Sequence, residues 1–476
     1  MKKDLFRLAG LLLLLALSAC SPQRPRQASL PQPLPVRFGT GADETAVSVE
    51  PWWHQFQDPQ LDALMQEALA ANLDLAQGHA RLRQVQALAR IATAARWPSA
   101  ELQGTAGRVR QKGLFGTETA NSYRLSVAAG FELDLWRKLA SRSEAARLDV
   151  LAARQELQTL YLSLSAQLAD VYYLVVEQRA QLQLVDTTIA SFADTLQRVE
   201  SRYRQGLVPA LDVYQSRQNL AAARARRPVV EQTLAAAEHA LVVLVGRYPA
   251  QTAFGAVDRL PALDSVFAAG LPATLLTRRP DIAAAHSRLR ADDARIAAAI
   301  AERFPSFNLI ADYGGADSEL ASLLDSPNIF WNLLVNLAQP LLDGGRRRAE
   351  VDRQRALFDE HLAAYRQTVL QAFQEVEDAL VQERTADERI DGLQQQVAAT
   401  AGALRLATDR YLLGLSEYLP VLTAQITHAE AQRNLLEARR LRIVARTSLA
   451  RAVGGVWMAS LIEQRDNQKL SKGMRP

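Results

Sequence analysis

The sequence is poor in the residue types that usually carry chemistry. It has 1 cysteine and 6 histidines among 476 residues, with no His/Cys cluster and no glycine-rich phosphate loop. A disulfide within the chain is therefore excluded, and we expect no enzyme activity, no metal and no cofactor. The 55 basic and 51 acidic residues nearly balance, and the net charge of +4 gives no case for nucleic-acid binding.

Glycine and proline are both missing from residues 131–205. Within this stretch, residues 137–205 consist largely of Ala, Leu, Arg, Gln and Glu, which favour helices, and they predict one helix about 100 Å long at ~1.5 Å per residue. Helices of this length are typical of coiled coils or of a spanning scaffold. Apolar residues occur on more than one face, which suggests neighbours on two sides. A soluble helical bundle remains an alternative from these segments alone.

The chain is internally duplicated. Seven residues recur with an offset of 207 (281 − 74): Asp74, His79, Arg81, Leu82, Arg83, Trp97 and Pro98 return as Asp281, His286, Arg288, Leu289, Arg290, Phe304 and Pro305. The motif Arg202-Tyr203-x-x-Gly206-Leu207 returns as Arg410-Tyr411-x-x-Gly414-Leu415. The period is too long for a solenoid unit and predicts two structural repeats, 51–260 and 261–464.

Each repeat is predicted to contain a helix, a β-hairpin, a very long helix and a closing helix. In the first repeat, the hairpin is 98–135, the long helix 137–205 and the closing helix 210–246. In the second repeat, these elements are 305–341, 346–413 and 418–454. Gly392 and Gly402 interrupt the second long helix and predict a bend or a weaker segment there. We interpret the repeat-matched His79 and His286 as packing residues.

Residues 122–135 alternate between apolar and polar or small side chains over a length that can cross a bilayer. Residues 329–337 repeat the pattern less cleanly, and we place the partner strands at about 99–112 and 306–314, with loops at 113–121 and 315–328. One apolar and one polar face is the pattern of a membrane barrel, although a soluble half-buried hairpin is the alternative. Trp97, Trp136 and Phe304 lie at the helix-side ends and favour a membrane interface.

Four strands cannot close a membrane barrel, and an open edge in lipid leaves backbone groups unpaired. Two chains would give 8 strands and an interior filled by side chains, whereas three chains would give 12 strands and a lumen. We therefore predict a mainly α fold with a membrane β-barrel portion: four strands per chain complete a 12-stranded barrel in a homotrimer. A long helical tube continues this barrel.

The N-terminus predicts a lipoprotein. Residues 1–19 combine a basic start with an apolar stretch, as in a secretory signal peptide, and this stretch is too short for a transmembrane helix. Leu17-Ser18-Ala19-Cys20 resembles the bacterial lipobox, in which the cysteine is lipidated, and the following Ser21 implies sorting to the Gram-negative outer membrane. Residues 20–50 are expected to form an extended tether, and 465–476 a disordered tail.

Several motifs together resemble the TolC-like outer-membrane efflux protein family, closest to its lipidated NodT-type branch, which works with RND pumps. They are the two Arg-Tyr-x-x-Gly-Leu turns, Glu132-Leu133-Asp134-Leu135-Trp136, Arg278-Arg279-Pro280-Asp281-Ile282 and Gln339-Pro340-Leu341-Leu342-Asp343-Gly344-Gly345-Arg346. The resemblance implies a passive trimeric exit duct in the outer membrane, reaching into the periplasm. It receives substrate from an inner-membrane pump, expected to be of RND type, through a periplasmic adaptor.

The resemblance also implies roles for the two turns. Gly206, Leu207, Gly414 and Leu415 would contact the adaptor, and both glycines are expected to be left-handed helix ends. A periplasmic gate would use Leu419 and Asp212, with pairing among Arg202, Tyr203, Arg410 and Tyr411. Gln205, Pro420 and Thr423 depart from the family pattern, and Glu417 could supply a second acidic ring in place of Thr423.

Three other functions stay open at this point. An outer-membrane component of a type I secretion system would share the architecture. A periplasmic adaptor lipoprotein would need Gly/Val-rich β-domains around one hairpin, whereas this chain has two hairpins. A structural coiled-coil lipoprotein would not need alternating strands.

Overall fold

The computed structural model describes residues 26, 33, 35, 37–39, 51–113, 116–249, 260, 261, 263, 272–455, 457–459, 461 and 462. The predicted signal peptide 1–19, the lipidation site Cys20 and the tail 465–476 lie outside these residues, as does most of the tether 20–50.

Helices and strands follow in the order α1 (Pro59–Ala71), α2 (Leu73–Ala94), β1 (Ser99–Gly113), β2 (Gly116–Leu133), α3 (Lys138–Arg204), α4 (Ala210–Leu244), α5 (Pro272–Arg278), α6 (Pro280–Ala301), β3 (Ser306–Asp317), β4 (Ile329–Ala338), α7 (Arg346–Leu412) and α8 (Leu419–Val453). Short 3-10 helices lie at Trp52–Phe56 and Ser326–Asn328. The same order of elements therefore occurs twice along the chain.

Two compact units divide the chain, and they do not coincide with the two repeats. The first unit contains Arg81–Arg154 and Ala284–Gln367, and therefore the whole sheet. The second unit contains Gln32–Ala80, Gln155–Ala283 and Thr368–Pro476. Each unit thus combines segments of both repeats.

The first unit is built on one antiparallel sheet in the order β1-β2-β3-β4. Its register aligns Leu102, Val127, Tyr313 and Trp331 across the four strands. These four side chains are 73%, 47%, 61% and 74% exposed, so this apolar face has no cover within the chain. On the opposite face Arg124 pairs with Asp312 and lies 4.3 Å from the centre of the Phe330 ring. The predicted division into an apolar and a polar face is present.

Two predicted loops are shorter than expected. The loop predicted at 113–121 is wrong, because β2 begins at Gly116 and pairs with β1 from there onward. The loop predicted at 315–328 is also too long at its start, since β3 continues to Asp317. Thr117, Thr119 and Asn121 lack the apolar alternation, but threonine favours strands and the ladder to β1 supplies the backbone hydrogen bonds.

The sheet has two unpaired edges among the described residues. β1 pairs only with β2, and β4 pairs only with β3. An exposed strand edge presents a row of free N–H and C=O groups, which costs several kcal/mol for each unsatisfied group in lipid. The apolar face and the open edges therefore require further strands if the sheet lies in a membrane.

Both long helices are continuous over 67 residues. α7 passes through Gly392 and Gly402, where the sequence predicts a bend or a weaker segment. α3 begins at Lys138, one residue later than predicted, because Arg137 adopts a left-handed φ of 59°. The Asp134 carboxylate then accepts hydrogen bonds from the backbone N–H groups of Leu139 (3.0 Å) and Ala140 (2.7 Å), which satisfies free donors at the start of the helix.

α3 is long and apolar enough to cross a membrane by length and composition alone. Of its most apolar 18-residue segment, 61% is buried within the protein. The core helix of a globular domain passes the same test, and burial of this extent indicates packing against protein.

Candidate functional site at the helical hairpin tips

The two Arg-Tyr-x-x-Gly-Leu motifs form helix ends of the same geometry. Gly206 and Gly414 both have φ +73°, the left-handed conformation predicted for them. In the first turn the N–H of Leu207 donates to the carbonyl of Arg202 at 3.0 Å, and in the second the N–H of Leu415 donates to that of Arg410 at 2.9 Å. This bond across five residues is the Schellman motif, and it ends α3 and α7 sharply.

The two helical hairpins turn back at Gly206 and Gly414, and we call these turns the tips. The two tips pack against each other in the second compact unit. Their shared core consists of Val199, Val213, Tyr411, Tyr418 and Val421, all less than 9% exposed. Val199 and Val213 come from the first repeat, and the other three come from the second. The interface between the tips is therefore apolar inside.

Arg202 joins the first tip to the second at the edge of this core. Its Nη1 donates a hydrogen bond of 2.8 Å to the backbone carbonyl of Leu412, the last residue of α7. Its guanidinium carbon lies 5.0 Å from the centre of the Tyr411 ring, within the range of a cation–π contact. Of the predicted pairings, the one between Arg202 and Tyr411 is thus present within the chain.

Asp212 is an acidic side chain with only 9% exposure at this junction. Burial raises its pKa above the ordinary value, and the neighbouring carboxylate of Glu417 raises it further. The pKa of Tyr411 is raised by burial and then by the charge of Asp212. Asp212, Glu417 and Tyr411 are therefore close enough to influence one another.

The other predicted residues lie on the outside of the tips. Leu207, Leu415 and Leu419 are 60%, 65% and 56% exposed, and Tyr203 is 47% exposed. Tyr203 and Arg410 make no ion pair or ring contact within the described chain. Their roles in pairing, gating or adaptor contact stay predictions.

Sequence reasoning missed Tyr418, the central residue of the tip core. It is 1% exposed, and its ring centre lies 5.5 Å from that of Tyr411. An aromatic residue one position before the start of α8 was the available signal. The first repeat has Ala210 at the position that matches Tyr418, so the comparison of the repeats does not single out this residue.

The predicted interface aromatics lie in the first unit, where two of them pack together. Trp136 stacks on Phe304 with ring centres 5.0 Å apart, and its Nε1–H donates to the carbonyl of Pro305 at 2.7 Å. Trp97 is 71% exposed. Trp136 therefore ties the end of the first hairpin to the start of the second.

The repeat-matched histidines each contact a tyrosine. His79 shares a hydrogen bond of 2.9 Å with the Tyr161 hydroxyl, and His286 has its ring centre 6.0 Å from that of Tyr365. Burial lowers the pKa of His286. These contacts support the interpretation of both histidines as packing residues.

Comparison with known protein families finds one whose profile matches most of the chain. The family profile described as outer membrane efflux protein matches residues 64–247 and 271–455, one match in each repeat. The chain belongs to the outer membrane efflux protein family. The family resemblance predicted from the motifs is thereby confirmed.

Two curated relatives are similar over almost their whole length. The chain is 32% identical to the pyoverdine export outer membrane protein OpmQ of Pseudomonas putida over 458 residues, 94% of this chain and 96% of that protein. It is also 32% identical to the toluene efflux pump outer membrane protein TtgF of Pseudomonas putida, over 93% of this chain and 95% of that protein.

A solved structure shares the fold. The outer-membrane channel OprN superimposes with a TM-score of 0.87 at 27% identity, covering 91% of this chain and 99% of that chain. The predicted fold class, mainly helical with a membrane β-barrel portion and an internal duplication, is confirmed.

Proposed function

We propose that this protein is the outer-membrane exit channel of an efflux system and conducts substrates passively. The observation that carries this proposal is the four-stranded sheet with an uncovered apolar face and two open edges, in which each strand pair is followed along the chain by a long helical hairpin. The names of the family relatives, which refer to pyoverdine export and toluene efflux, support export of small molecules over protein secretion by a type I system.

A homotrimer is the proposed assembly. The two open edges need partners, and 12 strands form a barrel with a lumen, whereas 8 would be filled by side chains. Each chain contributes two hairpin tips, so three chains would place six tips around one axis. Lipidation at Cys20 would anchor each chain in the outer membrane.

The tips are the proposed contact with a periplasmic adaptor, which would connect the channel to an inner-membrane pump of RND type. Leu207 and Leu415 support this proposal, because they project from rigid Schellman turns and are at least 60% exposed. Apolar side chains held on a rigid turn can enter a pocket at little entropic cost. The two tips differ in sequence, since Gln205 departs from the family pattern in the first and Pro420 and Thr423 depart from it in the second. This difference suggests two distinct adaptor contacts per chain.

Conductance across planar lipid bilayers tests the channel directly. The purified full-length protein is expected to form pores, and Leu419→Ala or Asp212→Ala is expected to raise single-channel conductance by widening the tip aperture. Absence of any pore would refute the channel function. Unchanged conductance in both variants, with pores present, would remove these two residues from the gate and leave the channel intact.

A further inference from the structure

The β1–β2 hairpin continues past the rest of the sheet. β3 ends at Asp317, opposite Tyr123, while β1 and β2 stay paired as far as Gly113 and Gly116. This projecting part lies at the end of the hairpin farthest along the chain from α2 and α3. In the proposed membrane placement, it is the end that faces outward.

The apolar face of β2 has the height of a bilayer. It runs from Leu133 to Tyr123, ten steps along the strand, which is about 33 Å at ~3.3 Å per residue. With a strand tilt near 40°, this length corresponds to about 25 Å along the membrane normal, the usual height of the apolar band of a barrel. Tyr123 therefore marks the outer edge of the lipid-facing surface.

Three cations continue this same face beyond Tyr123. Ala106 is opposite Tyr123, and the next positions of β1 on that face are Arg108, Arg110 and Lys112. Their cross-strand neighbours are the uncharged residues Asn121, Thr119 and Thr117. All three cations are exposed and make no ion pair with a described residue. We call Arg108, Arg110 and Lys112 the basic stripe.

No described acidic side chain forms an ion pair with the stripe. Asp317 has a register position on the same face, but its carboxylate accepts hydrogen bonds from the N–H of Ser318 at 2.6 Å, from Nδ2 of Asn328 at 2.7 Å and from the Ser322 hydroxyl. The positive charge of the stripe therefore remains available to an external anion.

The spacing of the stripe indicates the class of anion. Each step of two residues rises about 5 Å along the membrane normal at the same tilt, so the three cations extend about 5 to 15 Å beyond the apolar band. The polar layer of a phospholipid leaflet is only about 5–8 Å thick. Arginine binds phosphate through two parallel N–H···O bonds, and lysine binds it as a point charge.

We propose that the basic stripe binds a lipid of the outer leaflet that carries phosphate groups at more than one depth, namely a phosphorylated glycolipid. The acyl chains lie against the apolar face of the sheet, and the phosphates meet Arg108, Arg110 and Lys112 in succession. Each cation near a membrane surface contributes roughly a fivefold gain in affinity for anionic lipid. The inference rests on the membrane placement made under the proposed function.

Binding of fluorescent rough-type lipopolysaccharide to the full-length protein in detergent micelles tests the proposal. The variant Arg108→Gln/Arg110→Gln/Lys112→Gln is expected to weaken binding by roughly 100-fold, since three cations each contribute about fivefold. Arg108→Lys/Arg110→Lys keeps the charges and is expected to stay within a few-fold of the wild type. The same lipopolysaccharide with its phosphates removed is expected to bind the wild type and the triple-glutamine variant equally weakly.

A matched control removes the same charge elsewhere. Arg384→Gln/Arg389→Gln/Arg405→Gln alters three exposed arginines of α7 in the second unit and is expected to bind like the wild type. The proposal is overturned if the stripe variant keeps full binding, if the control loses as much, or if phosphatidylglycerol or inorganic phosphate competes as well as the glycolipid. Pore formation in planar bilayers separates the two proposals, because failure of the stripe alone leaves conductance normal.

Discussion

Replacing Arg202 by methionine tests whether the contact between the tips holds the channel closed. Methionine keeps much of the apolar stem but removes the charge, the hydrogen bond to the Leu412 carbonyl and the stacking on Tyr411. A hydrogen bond from a charged donor contributes about 1.5–3 kcal/mol, and an exposed cation–π contact about 0.5–1 kcal/mol. The Nε atom of Arg202 is buried without a partner, which offsets part of this gain. We take about 2 kcal/mol as the net stabilisation.

If this contact exists only in the closed state, its loss shifts the ratio of open to closed channels by about 30-fold for each contact. Single-channel recording in planar bilayers measures this ratio. Tyr411→Leu removes the cation–π contact but keeps an apolar side chain in the tip core, and it is expected to give a smaller shift of about fivefold. Tyr411→Phe keeps the ring and is expected to conduct like the wild type.

Arg204→Met is the matched control for this experiment. Arg204 ends the same helix, is exposed and makes no ion pair with a described residue. Its loss is expected to leave the open fraction unchanged. Equal effects of Arg202→Met and Arg204→Met would refute the argument, because the effect would then follow from net charge and not from the contact.

Three further predictions concern stability, measured as unfolding in detergent. Burial raises the pKa of Asp170 to about 6, so ionisation of its carboxyl destabilises the folded protein. From pH 4 to 7 the wild type should lose about 2 kcal/mol relative to Asp170→Asn, and parallel pH profiles would refute this. Gly206→Ala should cost about 1 kcal/mol because of its left-handed φ, while Gly392→Ala, inside α7 with open space around it, should gain about 1 kcal/mol. Trp136→Phe should keep the stacking on Phe304 but lose about 1 kcal/mol with its hydrogen bond, unlike an exposed Trp97→Phe.

Local rules explain which parts of this fold the sequence predicts well. The long helices follow from the absence of proline and the abundance of helix formers, and their observed ends differ from the prediction by at most one residue. Gly206 and Gly414 follow from the need for a left-handed residue where a helix turns back. The extension of β2 to Gly116 was missed, because threonine and asparagine there look like loop residues until their pairing with β1 is known.

Contacts between residues that are far apart along the chain could not be predicted from the sequence. Arg202 was a candidate for pairing, but its bond to the Leu412 carbonyl depends on how the two tips meet, 210 residues apart along the chain. The burial of Tyr418 likewise depends on Val199 and Val213 from the other repeat. Periodicity within a repeat carries no information about such a junction.

The interleaving of the repeats in both compact units sets the order of events in biogenesis. Neither unit is complete until the last third of the chain is available, because each needs residues beyond 284 as well as residues near 81–155. The first repeat, emerging alone, would expose half of a sheet and one unpartnered helical hairpin. Contacts between residues this distant in sequence form slowly, and apolar surfaces stay exposed until they have formed. We therefore expect the newly made chain to depend on chaperones until synthesis and export are finished. A truncated first half is expected to be degraded and not to accumulate.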